Sequence, residues 1–212
     1  VAVRGNFDDC QTGVKKIFAS ADCKAKLKEK NFLLSSANSI NFGRLAPQIC
    51  YYFSAYCDLV TSDQIRMGDK VNFTVPTGNF GNILAGYYAK RMGLPVGTLV
   101  CASNKNNVLT DFWAKGMYDS KRPFYKTMSP SMDILVSSNL ERLIFELSGR
   151  DAALTKERMQ QLSATGRYSI RAEELKAYKS EFYAGCTNES DTVDCMYEFF
   201  EEYGYPMDTH TG

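Results

Sequence analysis

The sequence predicts an α/β protein: a three-layer parallel-sheet βα domain, present in part, with an appended helical subdomain. Three observations carry this. The stretch Lys70–Met92 passes from an alternating run rich in β-branched and aromatic residues, through a glycine-bearing turn, into residues spaced as a helix. Two more runs, Asn31–Ala37 and Val96–Ala102, read as strands that end in Asn/Ser-rich turns, each with a helical pattern behind it. Beyond Ser137 amphipathic helical patterns alone follow, which divides the chain into residues 1–137 and 138–212.

In chain order, Val1–Gly5 reads as the tail of a strand, and Asn6 to Asp9 offer caps for a helix through Val14, Ile17 and Phe18. Asn31–Ala37 is expected as a mostly buried strand running into the polar cluster Asn38-Ser39-Ile40-Asn41, where an open parallel sheet places its ligands. Leu45, Ile49, Tyr52, Phe53 and Tyr56 then recur as the core-facing stripe of a helix. Cys50 and Cys57, seven apart on it, are expected on one buried face. Arg44 and Gln48, one turn apart near its start, face either a ligand or solvent. After the central unit, Asn107 is a natural cap for a short helix bearing Val108, Leu109, Phe112 and Trp113.

In the second part, Leu140, Leu143, Ile144 and Leu147 form a helix stopped near Gly149. Thr155–Ala164 and Arg171–Phe182 are two more, broken at Thr165-Gly166. Val193, Met196, Tyr197 and Phe200 mark a last one, whose acidic face (Asp194, Glu198, Glu201, Glu202) reads as solvated surface.

Composition excludes more than it selects. Lys plus Arg number 25 against 24 Asp plus Glu, so no overall field favours nucleic acid or an anionic membrane. The apolar runs are too short to span a bilayer. Seven cysteines, odd in number and without a C-x-x-C pair, argue against a disulfide framework or a zinc site and for a reducing compartment. No metal site is expected. Because the chain starts in what looks like a strand, without methionine, it is expected to be an excised piece of a longer enzyme.

The chemistry is concentrated in Thr77-Gly78-Asn79-Phe80-Gly81-Asn82. A strand that feeds a helix through such a turn leaves a row of free N–H groups at the helix start. With the helix dipole these form an anion site, and phosphate is the usual guest. The glycines allow close backbone approach, while Thr77, Asn79 and Asn82 offer side-chain hydrogen bonds. The spacing is neither G-x-G-x-x-G nor a P-loop. Glycine alone would equally suit a tight βα turn in any doubly wound domain; the better reading is a phosphate carried by a cofactor or substrate.

Five blocks together resemble the threonine synthase family, pyridoxal-phosphate enzymes of the tryptophan-synthase-β-like fold. They are Gly5–Gln11, Ser36–Arg44, Pro76–Asn82, Ser129–Ile134 and Asp208-Thr209-His210-Thr211, the last with threonine where the family usually has proline. The resemblance implies that Gly78, Asn79, Phe80, Gly81 and Asn82 hold the phosphate of pyridoxal phosphate. It implies that Asn38, Ser39, Asn41 and Arg44 lie on the substrate side. The implied reaction of the intact parent, a cytoplasmic monomer, takes O-phospho-L-homoserine and water to L-threonine and phosphate. The family's Schiff-base lysine sits in a Phe-Lys-Asp-Phe block, and neither that block nor its Ser-Gly-Asp-Thr-Gly block is found here. The expectation is therefore a C-terminal-half fragment without its catalytic lysine, inactive alone and with cofactor absent or loosely held. A non-catalytic α/β module for a phosphate or nucleotide is the alternative.

Overall fold

The computed structural model describes residues 4–5, 7–35 and 40–212, apart from the side chains of residues 7, 8 and 11. Val1–Val3 of the expected strand tail, and Asn38 and Ser39, lie outside the described residues. In order, the elements are α1 (Phe7–Ala19), α2 (Ala21–Glu29), α3 (Phe42–Leu45), α4 (Ile49–Thr61), β1 (Val71–Pro76), α5 (Gly81–Arg91), β2 (Val96–Ser103), α6 (Val108–Lys115) and β3 (Met117–Asp119). Then come α7 (Leu140–Leu147), α8 (Ala152–Thr165), β4 (Arg167–Ser169), α9 (Ala172–Glu181), β5 (Phe182–Cys186) and α10 (Glu189–Tyr203).

The fold is α/β, with a parallel sheet in the order β1-β2-β5. Its register pairs Phe73 with Leu99 and Leu99 with Phe182, and Val75 with Cys101 and Cys101 with Ala184. Side chains alternate along a strand, so these residues share one face. That face is buried: Leu99 and Cys101 are fully enclosed, Tyr52 of α4 meets Phe73 edge-on, and Tyr87 of α5 stacks on Phe182. α4 can approach α5 because residue 86 is glycine; a Cβ there would lie 2.6 Å from the Tyr52 ring. On the opposite face Thr74, Thr98 and Tyr183 are exposed. At the β5 edge, Trp113 Nε1 of α6 donates to the Phe182 carbonyl, which caps a backbone group that would otherwise invite another strand, and Thr110 Oγ1 adds a bond to the Gly185 carbonyl.

Four local expectations are corrected. Residues 32–35 form no regular structure, and Leu33 is 90% exposed, so the strand expected from residue 31 is absent there. The reason is α2, started by Ser20 Oγ accepting from Cys23 N and ended at Asn31 with φ 58°. The N–H groups of Asn31 and Phe32 return to the carbonyls of Lys28 and Leu27, a Schellman stop, so the apolar pair Phe32-Leu33 follows a helix cap. Cys50 and Cys57 do share a face of α4, but it is the exposed one, turned from Tyr52 and Tyr56. Asn107 is the N-cap residue of α6 and its carbonyl accepts from Asp111 N–H, but its side chain makes no capping bond; Oδ1 accepts instead from Arg122 Nη1, while Asp111 holds the other guanidinium nitrogen. Finally, helices do not stand alone after residue 137. β4 pairs antiparallel with β3, and β5 extends the parallel sheet beside β2.

α8 and α9 are joined by an enclosed ion pair. Arg158 Nη1 and Nη2 lie 3.0 and 2.6 Å from the two carboxylate oxygens of Glu174, and both side chains are buried. Burial alone would raise the Glu174 carboxyl, but hydrogen bonds from Arg158 and Arg171 outweigh it and bring it from 4.5 to about 2. A carboxyl lowered on folding stabilises the fold fully above its unfolded value, and that contribution is lost as pH falls from 4.5 towards 2. Glu174→Gln leaves Arg158 buried and unpaired, a loss of about 3–5 kcal/mol. Denaturant midpoints should therefore separate wild type from Glu174→Gln at pH 7, and the gap should shrink as pH falls from 4.5 towards 2; a gap that stays constant over that range would show that the pair does not carry this stability.

Candidate phosphate-binding site

The turn between β1 and α5 lies at the carboxyl end of the parallel strands, where open α/β sheets bind ligands. β1 delivers it in register: Pro76 pairs with Ala102, and Thr77 N–H donates to the Ala102 carbonyl. Residues 76–83 and Ser131 then enclose a cavity of about 160 Å³. Among the described residues, the N–H groups of Gly78, Asn79, Phe80, Gly81, Asn82 and Ile83 donate to no protein acceptor, and the first intrahelical bond runs from Leu84 to the Phe80 carbonyl. Six consecutive donors at the positive end of an eleven-residue helix suit a phosphate dianion.

The glycines act differently from one another. The left-handed backbone of the turn falls on Phe80, with φ 64°, while neither Gly78 nor Gly81 has positive φ. Phe80 tolerates this because its buried ring is fixed against Phe182. Gly78 is needed for space: a Cβ would stand 2.7 Å from the Ser131 carbonyl oxygen and 3.2 Å from Met132 Cα.

The side chains of the turn are mostly committed to the protein. Thr77 Oγ1 donates to the Val75 carbonyl, and Asn79 Oδ1 accepts from Ser138 Oγ. Asn82 Oδ1 accepts from Tyr52 O–H at 2.6 Å. Burial pushes the Tyr52 phenol well up, so it stays a donor, and this fixes the Asn82 amide with Nδ2 as its free end. The donors left for the cavity are thus chiefly those of the backbone. Cys101, buried beneath, has its thiol pushed up to about 12 by burial and offers no nucleophile.

Ser131 ties this cavity to the end of the chain. Its N–H donates to His210 Nε2, which leaves Nδ1 to carry the proton towards Asp208 Oδ1 at 3.0 Å. The backbone N–H of His210, the Thr211 hydroxyl and the His210 ring hold the Asp208 carboxyl at about 2. Thr209 Oγ1, where the family usually has proline, donates to the Met128 carbonyl. A second cavity of about 210 Å³ lies alongside, between the strand ends at Ala102 and Asn104 and the residues Thr209 and His210.

Of the residues expected on the substrate side, Asn41 and Arg44 do not line the 160 Å³ cavity. Asn41 Oδ1 caps α3 through Gly43 N, and Arg44 is exposed. The segment rests instead on α5 and α7: Phe42 meets the Tyr88 ring, and Arg142 donates to the Ile40 carbonyl. Ser131 and His210 received no individual role in the sequence analysis although both stand in blocks singled out there. Ser137 and Asn139, which brace the turn, carried no signal of their own.

These features define an α/β protein with a βα turn of unpartnered backbone N–H groups at the end of a parallel sheet. No family model matches the chain. It is 44% identical over its whole length to threonine synthase-like 1 of Macaca fascicularis, and spans 29% of that protein. To the threonine synthase of Methylobacillus glycogenes it is 40% identical, again over its whole length and 43% of the relative's. A crystal structure of PLP-bound threonine synthase from Brucella melitensis superposes with a TM-score of 0.84 at 43% identity, covering 99% of this chain and 43% of that one. Over its whole length the chain is similar to threonine synthases and threonine synthase-like proteins, and it spans less than half the length of these relatives.

The close approach at residue 78 is directly testable. Gly78→Ala forces backbone to shift, at an overpacking cost of about 1–3 kcal/mol. Gly13→Ala, in α1 with nothing within 4 Å, should be neutral or stabilising by up to about 1 kcal/mol. Thermal melting of the two variants should diverge in that order, and equal melting would show that the Gly78 contact is not a constraint.

Proposed function

We propose that this chain supplies the cofactor-phosphate side of a pyridoxal-phosphate-dependent threonine synthase, a lyase that converts O-phospho-L-homoserine and water to L-threonine and phosphate in threonine biosynthesis. The observation that carries the proposal is the row of unpartnered N–H groups from Gly78 to Ile83 at the start of α5. The relative bound to PLP supports the choice of phosphate. The alternative of a non-catalytic phosphate or nucleotide module is not favoured by relatives of this name.

The residues present fit the group. Gly78 keeps the cradle free of a side chain, and the unpartnered peptide N–H groups of Asn79 through Ile83 line it. In this reading Gly78, Asn79, Phe80, Gly81 and Asn82 hold the phosphate mainly through backbone. Phosphate held at the dipole's positive end needs no lysine or arginine, which keeps cationic side chains free for a second phosphate, that of the substrate. When bound, the cofactor ring supplies an electron sink for deprotonation at the substrate's α and β carbons. Asn38, Ser39, Asn41 and Arg44 remain the proposed substrate side. Among them the exposed guanidinium of Arg44 is suited to a phosphate, and the Asn41 cap sets the start of the helix that carries it.

The proposal further places the catalytic lysine outside this chain, in a protein that is cytoplasmic and monomeric; the chain alone is then an inactive fragment. The full-length protein should release phosphate and threonine from O-phosphohomoserine only with pyridoxal phosphate added. The 212-residue chain, treated with cofactor and borohydride, should show no single labelled lysine on peptide mapping. A dominant labelled lysine within these residues, or turnover without cofactor, would sink the proposal.

A further inference from the structure

We infer that Ser137, seconded by Asn139, is a positioning residue that aims the N–H groups of the phosphate turn by holding its carbonyls from behind. Ser137 Oγ donates to the Gly78 carbonyl at 2.7 Å. The Asn79 carbonyl accepts twice from Asn139, from its backbone N–H at 3.0 Å and from Nδ2 at 3.1 Å. In a planar trans peptide the C=O of one residue and the N–H of the next point in opposite directions. Fixing the carbonyls of Gly78 and Asn79 on the side of residues 137–139 therefore turns the N–H groups of Asn79 and Phe80 the other way. Neither N–H donates to protein among the described residues, and both residues line the 160 Å³ cavity.

The clamp is itself held. Ser137 and Asn139 are buried, so water competes little for their hydrogen bonds. Ser137 N–H donates to the Tyr118 hydroxyl at 2.8 Å, and that hydroxyl donates in turn to the Leu135 carbonyl at 3.0 Å. Tyr118 is enclosed and stacks almost parallel on Tyr168 across the β3–β4 pair, 5.3 Å between ring centres. A rigid aromatic pair thus seats the serine, the serine seats a peptide plane, and the peptide plane presents a donor. The left-handed residue comes directly after the pinned peptides, at Phe80, so the clamp also resists relaxation of that backbone to a commoner conformation.

The inference rests on the phosphate reading and separates from it experimentally. The probes are pyridoxal phosphate and pyridoxal, which differ only in the phosphate, titrated spectroscopically into the full-length apoprotein. A general loss of fold weakens both; a misdirected turn weakens only the first. Ser137→Ala should lower the preference for pyridoxal phosphate over pyridoxal by about five- to tenfold, the scale of one hydrogen bond, with pyridoxal affinity unchanged. Ser137→Thr keeps the hydroxyl and should restore the preference. Tyr118→Phe removes the seat without touching the turn, and should lower the same ratio even if Ser137→Ala folds poorly. An unchanged ratio in both Ser137→Ala and Tyr118→Phe overturns the positioning role while leaving the phosphate reading intact. If the wild-type protein shows no preference for pyridoxal phosphate, the phosphate reading falls and this inference falls with it.

Discussion

The contact on which the site depends is the van der Waals approach of the Ser131 carbonyl to the Cα of Gly78. It joins two segments more than fifty residues apart and leaves no room for a side chain at the mouth of the turn. An approach this close is only useful if both sides are rigid. The Ser129–Met132 turn is rigid because Asp133 behind it is buried and fully engaged. Its Oδ1 accepts from Asn104, Asn106 and Thr127, and its Oδ2 from the backbone of Thr127. Asn104 itself follows the end of β2, so the sheet, the Ser129–Met132 turn and the glycine turn are parts of one polar assembly. Such an assembly is costly when half satisfied and stiff when complete.

The later part of the chain adds to this stiffness from a distance. β5 extends the parallel sheet, and its Phe182 packs against Phe80, Tyr87 and Tyr178, so α5, α9 and the sheet meet at one ring. Tyr118, Tyr168 and Tyr178 surround Phe112 of α6. The result is an aromatic core shared by elements from both sides of residue 137. It reaches the site through the ring of Phe80 and through the hydroxyl of Tyr118, which accepts from the Ser137 peptide. Enclosed ion pairing between α8 and α9 holds the far side of this core in place.

The central βα unit was legible because its signals are local and redundant: alternation in β1, a glycine turn, then helical spacing in α5. The helices from α7 to α10 were legible for the same reason, each within a few residues of its expected ends. What was missed has identifiable causes. β5 is five residues long, contains glycine, and follows α9 with no breaker between Glu181 and Phe182, so its apolar residues extend a helical pattern. α2 buries no residue and so shows no apolar stripe, although Ser20 marked its start. Asn31–Leu33 has strand-like composition, but a Schellman stop is a matter of which carbonyl a backbone N–H reaches, and composition does not report that. The left-handed residue of the site is Phe80 and neither glycine, because tertiary packing of its ring outweighs its backbone preference.

The same distinction explains which part of the site a sequence can name. Thr77, Asn79 and Asn82 have polar side chains in a glycine turn, and by residue type all three are candidate ligands. In the structure the first two spend their side chains inside the protein, on the Val75 carbonyl and on Ser138. They shape the turn, and the donors that line the cavity are the peptide groups that every sequence has. Recognition by main chain is therefore specified indirectly: by a glycine that admits a neighbouring carbonyl, by buried acceptor–donor pairs that hold carbonyls to one side, and by a helix that begins where the donors point. Each of these is a relation between distant residues, visible as hydrogen-bond direction and burial. Local pattern can locate such a site, and only the fold can say what aims it.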